Sequence, residues 1–211
     1  MNGSTGIGKL PDVSVDANAG DIFSHLQMAA MVYGEAYTDD WALGMDIIYM
    51  NLKQDAEPRG EVLDGSLHAK QFAAEFNGFR KLLPWLDLGV GWRVNTLTAS
   101  ARVNTDSPED LTVLNLTSKK TWVDPIIIAR IQNPEGEKLL YQFRGDIGGF
   151  GVGSQFAWQI QAYVGYRFSK LFQLSGGYRI ISMDYNKGSD SNRFLYDVNT
   201  SGPVVRLGFN F

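Results

Sequence analysis

GPVVRLGFNF, residues 202–211, alternates strictly in polarity. Val205, Leu207, Phe209 and Phe211 fall on one face, and Arg206, Gly208 and Asn210 on the other. Successive side chains of a strand point to opposite sides, so this stretch reads as a strand with one apolar and one polar face. The termini of water-soluble domains usually fray into polar tails. A strand that stays apolar to an aromatic end is expected instead to close a membrane β-barrel, with its apolar face against lipid.

The same two-residue period runs back through the chain. FAWQIQAYVGYRF (156–168) sets Trp158, Ile160, Val164, Tyr166 and Phe168 against Gln159, Gln161, Tyr163 and Arg167. FQLSGGYRI (172–180) sets Leu174, Tyr178 and Ile180 against Gln173, Ser175 and Arg179. KLLYQFRGDI (138–147) sets Tyr141, Phe143 and Ile147 against Gln142, Arg144 and Asp146. WLDLGVGWRV (85–94) sets Leu88, Val90 and Trp92 against Asp87 and Arg93, and TWVDPIIIAR (121–130) carries Asp124 and Arg130 on its inner face. WALGMDIIY (41–49) opposes Trp41, Leu43, Met45, Ile47 and Tyr49 to Gly44 and Asp46; in HLQMAAMVYGE (25–35), Tyr33 and Glu35 share the polar side. HAKQFAAEFNGF (68–79) is the least regular, with Phe72, Ala74 and Phe76 outward and Gln71 and Glu75 inward. These segments often run to ten residues or more. Soluble strands average about five or six residues, whereas a tilted membrane strand needs about 9–11.

Nine strands are clear on this reading. Single-chain bacterial barrels have an even number. The expectation is therefore an all-β, closed, antiparallel, up-and-down transmembrane barrel of about 10 strands, with 8 as the alternative. Residues 24–211 form the barrel. Residues 1–23 supply either the extra strand, through Val13 and Val15, or a lumen plug with a helical turn near AGDIFSHL. The connections tend to alternate between tight turns (38–40, 82–84, 133–137, 169–170) and longer polar loops (55–65, 104–110, 186–193), although GVGS (151–154) is short where a long loop belongs.

The polarity must then be inverted relative to a soluble barrel. The inward row holds Glu35, Asp46, Asp87, Arg93, Asp124, Arg130, Arg144, Asp146, Arg167, Arg179 and Arg206. Glycines share this row (Gly44, Gly89, Gly91, Gly165, Gly177, Gly208), where they make room for large polar side chains in a narrow lumen. The apolar row carries Trp, Tyr and Phe in nearly every strand, too much volume for a small barrel interior. Trp41, Tyr49, Trp92, Trp158, Tyr166, Phe168 and Tyr178 are the expected membrane-interface aromatics.

Composition agrees. Of 211 residues 44% are hydrophobic and 20% charged, which excludes a disordered chain. No apolar run approaches the roughly 18 residues of a membrane helix. A net charge of −4 without a basic patch excludes nucleic-acid binding. There is no cysteine, hence no disulfide framework or thiolate metal site. The opening MNGSTGIGKLPDVSVDANAG has neither the basic region nor the apolar core of a signal peptide. An exported precursor needs one, so Met1 is expected to stand where a signal has been replaced.

Two resemblances follow from particular residues. The terminal aromatic with Phe209, Leu207 and Val205 resembles the C-terminal assembly signal of Gram-negative outer-membrane proteins, carried here by Phe209 and Phe211. From Trp122 onward, WVDP, RGDIGGFGVGSQFAWQ, GYRF, GYRIISMDY, YDV and SGP, in that order, resemble a family of largely uncharacterised outer-membrane β-barrel proteins. The N-terminal half is similar only through DIFSHL and one strand. The resemblance implies the bacterial outer membrane, its lipid, and the barrel-insertion machinery as partners during biogenesis. It implies no activity, cofactor or catalytic residue.

The remaining motifs read plainly. GGFGVGS (148–154) lacks the Lys-Ser/Thr and the helix of a phosphate loop and reads as a Gly-rich hairpin. Ser24–His25 and Ser66 near His68 invite an enzyme reading, but strand neighbours face opposite sides, so Ser24–His25 is not expected to form a dyad. Two histidines are too few for a metal site, and the Asn115–Thr117 sequon reads as chance. The expected function is a structural, ligand-binding or partner-binding membrane barrel with a charged, largely filled lumen. The alternatives are a narrow, porin-like passive channel and a lipid-modifying enzyme.

Overall fold

The computed structural model describes residues 1–7, 13–16, 19–56, 62–107, 110–133, 137–190 and 193–209. Asn210 and the expected assembly-signal residue Phe211 lie outside them. Among the described residues the chain is all-β apart from one short helix. In order, the elements are β1 (Asn2–Ile7), β2 (Val13–Asp16), α1 (Ala19–His25), β3 (Leu26–Tyr37), β4 (Trp41–Ala56), β5 (Val62–Leu83), β6 (Leu86–Ser107), β7 (Asp110–Gln132), β8 (Leu139–Gly148), β9 (Phe156–Arg167), β10 (Phe172–Lys187) and β11 (Phe194–Phe209). They make one antiparallel up-and-down sheet ordered β2-β1-β11-β10-β9-β8-β7-β6-β5-β4-β3.

The sheet curls barrel-fashion with the polar face concave. Side chains from strands remote in the ladder meet across that face: Arg179 on β10 reaches Asp46 on β4 at 2.9 Å. The connections 38–40, 84–85, 133–138 and 168–171 lie at one end, the tight-turn end, and 57–61, 108–109, 149–155 and 188–193 at the other, the wide end; the turn expected at 133–137 lies partly outside the described residues. The expected loops at 55–65 and 104–110 are shorter than read, because β5, β6 and β7 continue to 22 or 23 residues and stay paired almost to their tips. An antiparallel pair can go on satisfying its own backbone beyond the region where its apolar face is needed.

The nine strands read from the sequence are β3 to β11. The N-terminal segment adds to the sheet as the β1–β2 hairpin, with β1 beside residues 194–199 of β11, followed by the expected helical turn. Closure differs from expectation. Among the described residues no ladder joins β3 to β1, β2 or β11. The reason is directional. Nine up-and-down strands leave β3 and β11 running the same way, so they cannot pair antiparallel. β1 has the required direction but covers only one half of β11, and its far edge is taken by β2. Residues 200–209, with Pro203 lacking an amide hydrogen, have a single ladder neighbour. Arg206 of β11 nevertheless stands 4.9 Å over the Tyr33 ring of β3, so side chains bridge the seam.

Close packing of the concave face uses its glycines. A methyl group on Gly89 would lie 2.6 Å from Phe79 Cδ1 and 2.8 Å from the Gly78 carbonyl. One on Gly177 would lie 2.4 Å from the Tyr163 ring. The inward glycines thus make room for the aromatic rings of Phe79 and Tyr163 and for the side chains of Asn77 and Gln173. Overpacking of this kind typically costs about 1–3 kcal/mol. Gly89→Val should lose about that much in urea unfolding of the refolded protein, while the same change at exposed Gly176, where nothing lies within 4 Å, should lose far less.

Candidate lumen charge network

All eleven charged residues expected to face inward do so. Eight of them are paired with carboxylates or guanidinium groups from other strands, and five of these (Asp46, Arg93, Arg144, Asp146 and Arg179) gather around one residue absent from that set, Glu75. Glu75 sits in the middle of β5 and accepts from Arg93 Nε at 2.8 Å, Arg144 Nη2 at 2.6 Å and Arg179 Nη2 at 3.3 Å. Arg93 also donates to Asp146 at 2.6 Å, as does Arg144 at 3.2 Å. Arg179 completes its set with Asp46 and with Gln159 Oε1 at 2.6 Å. Glu75 is 1% exposed and Arg93 fully buried, so water does not satisfy these groups. Each ion is neutralised by its neighbours and hydrogen-bonded by them, which is the condition for burying a charge at tolerable cost.

A second group lies toward the tight-turn end. Arg130 donates to Asp87 from Nε at 2.9 Å, to the Tyr33 hydroxyl at 3.2 Å and to Glu35, and its guanidinium stacks 4.2 Å from the Phe79 ring. Tyr33 in turn donates to Glu35. These contacts tie β3 to β6 and β7 across the lumen.

Asp124 is different. It is fully buried yet has no ion-pair partner among the described residues. Oδ1 accepts the Ser154 amide at 2.6 Å, and Oδ2 accepts Ser154 Oγ at 2.7 Å, Trp122 Nε1 at 3.0 Å and Asn95 Nδ2 at 3.0 Å. This carboxylate therefore pins the GGFGVGS hairpin to β7. Gly149 and Gly151 adopt positive φ there, and a methyl on Gly153 would lie 2.4 Å from Asp124 Oδ1. The Ser154 amide and hydroxyl are turned onto a protein carboxylate, the Gly149, Gly151 and Val152 amides donate to backbone carbonyls, and no helix follows, in agreement with the hairpin reading.

Beyond Asp124, toward the wide end, the concave face turns apolar. Trp122, Ala157, Ile181, Met183, Tyr185, Phe194, Tyr196 and Val198 form one buried cluster, with Met1, Ile48 and Leu97 packed against it. Trp122 stacks on Tyr185 at 4.3 Å between ring centroids. The sequence reading missed this plug. Its signal was present, since Ile181, Met183 and Tyr185 continue the inward parity of Arg179.

The aromatics expected at the membrane interfaces all lie on the convex face. Trp41, Tyr166 and Phe168 stand at its tight-turn edge, and Tyr49 and Trp158 toward the other edge. Trp92 and Tyr178 lie further along their strands, each the seventh residue of β6 and β10.

The histidine expectation needs correction. Ser24 and His25 lie in α1, not in a strand, and do touch: Ser24 Oγ is 3.1 Å from His25 Nδ1. Nδ1 is also 2.7 Å from the Asp21 carbonyl, which can only accept, so Nδ1 carries a proton and cannot take one from Ser24. His68 stands on the outer face beside Lys70, Thr98 and Ser100. Among the described residues no cluster could hold a metal ion.

No family model, curated protein or solved structure matches the chain. The functional reading therefore stands on this geometry.

Removing one partner of a buried ion pair typically costs about 3–5 kcal/mol, because the other charge stays buried. Glu75→Ala leaves three guanidinium groups short of their shared acceptor and should lose at least that much in urea unfolding. Glu75→Gln keeps an acceptor and the volume and should lose less. No loss in Glu75→Gln would mean that Glu75 acts by packing alone, and equal losses would mean that its charge alone matters.

Proposed function

We propose that the protein is an integral β-barrel of a bacterial outer membrane, with a filled, salt-bridged lumen, acting as a structural or ligand-binding membrane protein and not as an open pore. The observation that carries this is the convex face. Its outward rows are free of charge from Trp41 to Tyr49 on β4, Leu86 to Val94 on β6, Val123 to Ile131 on β7, Leu139 to Ile147 on β8 and Phe172 to Ile180 on β10. Within them Leu43, Val90, Ile127 and Leu139 are more than half exposed, as is Val164 on the outward row of β9. Nine residues at about 3.3 Å each, tilted by about 40°, give a band about 23 Å tall, close to the roughly 25 Å apolar belt of such barrels. Above it the rows turn polar together, at Thr96, Thr121, Ser182 and Ser201.

Such a band in water would be an apolar patch far beyond the few hundred Å² that soluble monomers expose. In lipid it is the required surface. The open seam between β3 and β11 would then have to be satisfied within the bilayer, since unpaired backbone is costly there. The four carboxylate-bound arginines and the aromatic plug occupy the concave face at successive levels, which favours the filled reading over the narrow channel. Neither histidine has the partners of a hydrolytic centre.

Two measurements test this. Single-tryptophan variants refolded into bilayers with brominated acyl chains should be quenched at Trp92 and Trp41 but not at Trp122, which faces inward. Absence of quenching at Trp92 would end the membrane reading. Planar-bilayer recordings of the inserted protein should be silent, and stable ion-selective steps would restore the channel. Within the band, Val164→Arg should cost about 2–4 kcal/mol of folding stability in lipid, and Thr96→Arg, at the polar margin, much less.

A further inference from the structure

Two inward arginines have no carboxylate among the described residues, Arg167 on β9 and Arg206 on β11. They lie at the same end of the lumen. Arg167 pairs in the ladder with Gln173, and Gln173 with Gly208, two residues beyond Arg206. The Arg206 guanidinium lies flat, 3.8 Å from the Tyr163 ring, with Tyr33 on another side at 4.9 Å. Its Nη1 donates to Gln142 Oε1 at 3.3 Å and its Nη2 to Gln161 Oε1 at 3.1 Å. A guanidinium has five N–H donors, so its remaining ones are uncommitted.

The groups around it share one chemistry. Gln161 Nε2, Tyr163 OH and Arg167 Nε are buried and have no hydrogen-bond partner. Gln161 is 1% exposed and Tyr163 4%. Both stand on the inward face of β9, and Gly165, between Tyr163 and Arg167, puts no side chain between them. Buried polar groups without partners are rare and costly. Here they are all potential donors, gathered beside two uncompensated positive charges. The nearest acids are already engaged, Glu35 by Arg130 and Asp46 by Arg179. The missing component is an acceptor carrying negative charge.

We propose that this end of the lumen binds a phosphate-class oxyanion, held by Arg206 and Arg167 and completed by Gln161 and Tyr163. Two guanidinium charges match a dianion better than a single carboxylate, and a phosphate offers enough oxygens for bidentate arginine contact with amide and phenol donors to spare. The site opens at the tight-turn end, where Lys138 and Lys170 are exposed together with Glu137. It deepens the ligand-binding part of the reading above and uses only concave-face groups, so it can be scored apart from membrane insertion.

The test uses the full chain refolded in a phosphate-free nonionic detergent, with folding checked by unboiled gel mobility. Inorganic phosphate is titrated calorimetrically in one arm and a short-chain phosphatidic acid in the other. Saturable binding is expected, weakened at least tenfold in Arg206→Gln and in Arg167→Gln, and several-fold in Tyr163→Phe. Arg206→Lys, which keeps the charge but loses the planar fork, should fall between, and it serves if the glutamine variant fails to fold. Lys70→Gln, on the outer face, should bind as wild type does. Binding of both probes supports a free phosphate group, and binding of the lipid alone supports a headgroup at the same arginines. No saturable binding of either, or undiminished binding in both glutamine variants, overturns the site whatever the quenching experiment gives.

Discussion

The fold depends on buried arginines that only distant strands can satisfy. Arg179 on β10 needs Asp46 on β4 and Glu75 on β5, and Arg130 on β7 needs Glu35 on β3. A flat sheet would leave each of these groups bare. Curling the sheet until its polar face closes on itself neutralises them, and the inward glycines allow the approach. Glu75 is the hub because the middle of β5 lies within reach of β6, β8 and β10 at once.

This interaction also explains how the seam holds. Backbone pairing propagates strand by strand and stops where direction forbids it, at the two parallel-running edges β3 and β11. Side chains are not bound by that parity. Arg206 over Tyr33 crosses the gap from the inside, and Arg130 with Glu35 holds β3 to β7 across the lumen. The N-terminal hairpin meets the even-strand requirement over only half the height of β11, and Met1 joins the aromatic plug at that level. The N-terminal segment thus adds a partial strand, the first alternative read from the sequence, and Met1 packs against the aromatic plug formed by other strands.

Much of this was legible because strand parity is local. Once Arg179 is set inward, Gln173 and Tyr185 follow without knowledge of their neighbours. Each of the charged residues Glu35 to Arg206 was placed on the correct face in that way. Pairing is not local. Nothing near Glu75 in the chain distinguishes it from Gln71, and its importance comes from three arginines 18, 69 and 104 residues away. The helix over Ala19–His25 escaped in part because it is too short to develop a period, so Ser24 and His25 were assigned the geometry of a strand. The height of Trp92 and Tyr178 along the molecule depends on the stagger between strands, which the order of residues does not reveal.

Charge along the lumen is unevenly distributed. In the central network and the Arg130 group, four arginines face five carboxylates, and Asp124 adds a further negative charge at the wide end. The balancing positive charges, Arg167 and Arg206, stand at the opposite end. Had the lumen served only as a filled core, the least costly arrangement would place each arginine beside a carboxylate, as Arg93 and Arg144 are placed. Arg206 is instead laid on an aromatic face between two glutamine oxygens, contacts that orient a guanidinium without neutralising it. Orientation without neutralisation preserves the capacity to attract an anion, so the two ends of one polar row have separate tasks: Asp124 secures a hairpin with its charge, and Arg206 holds its charge in reserve.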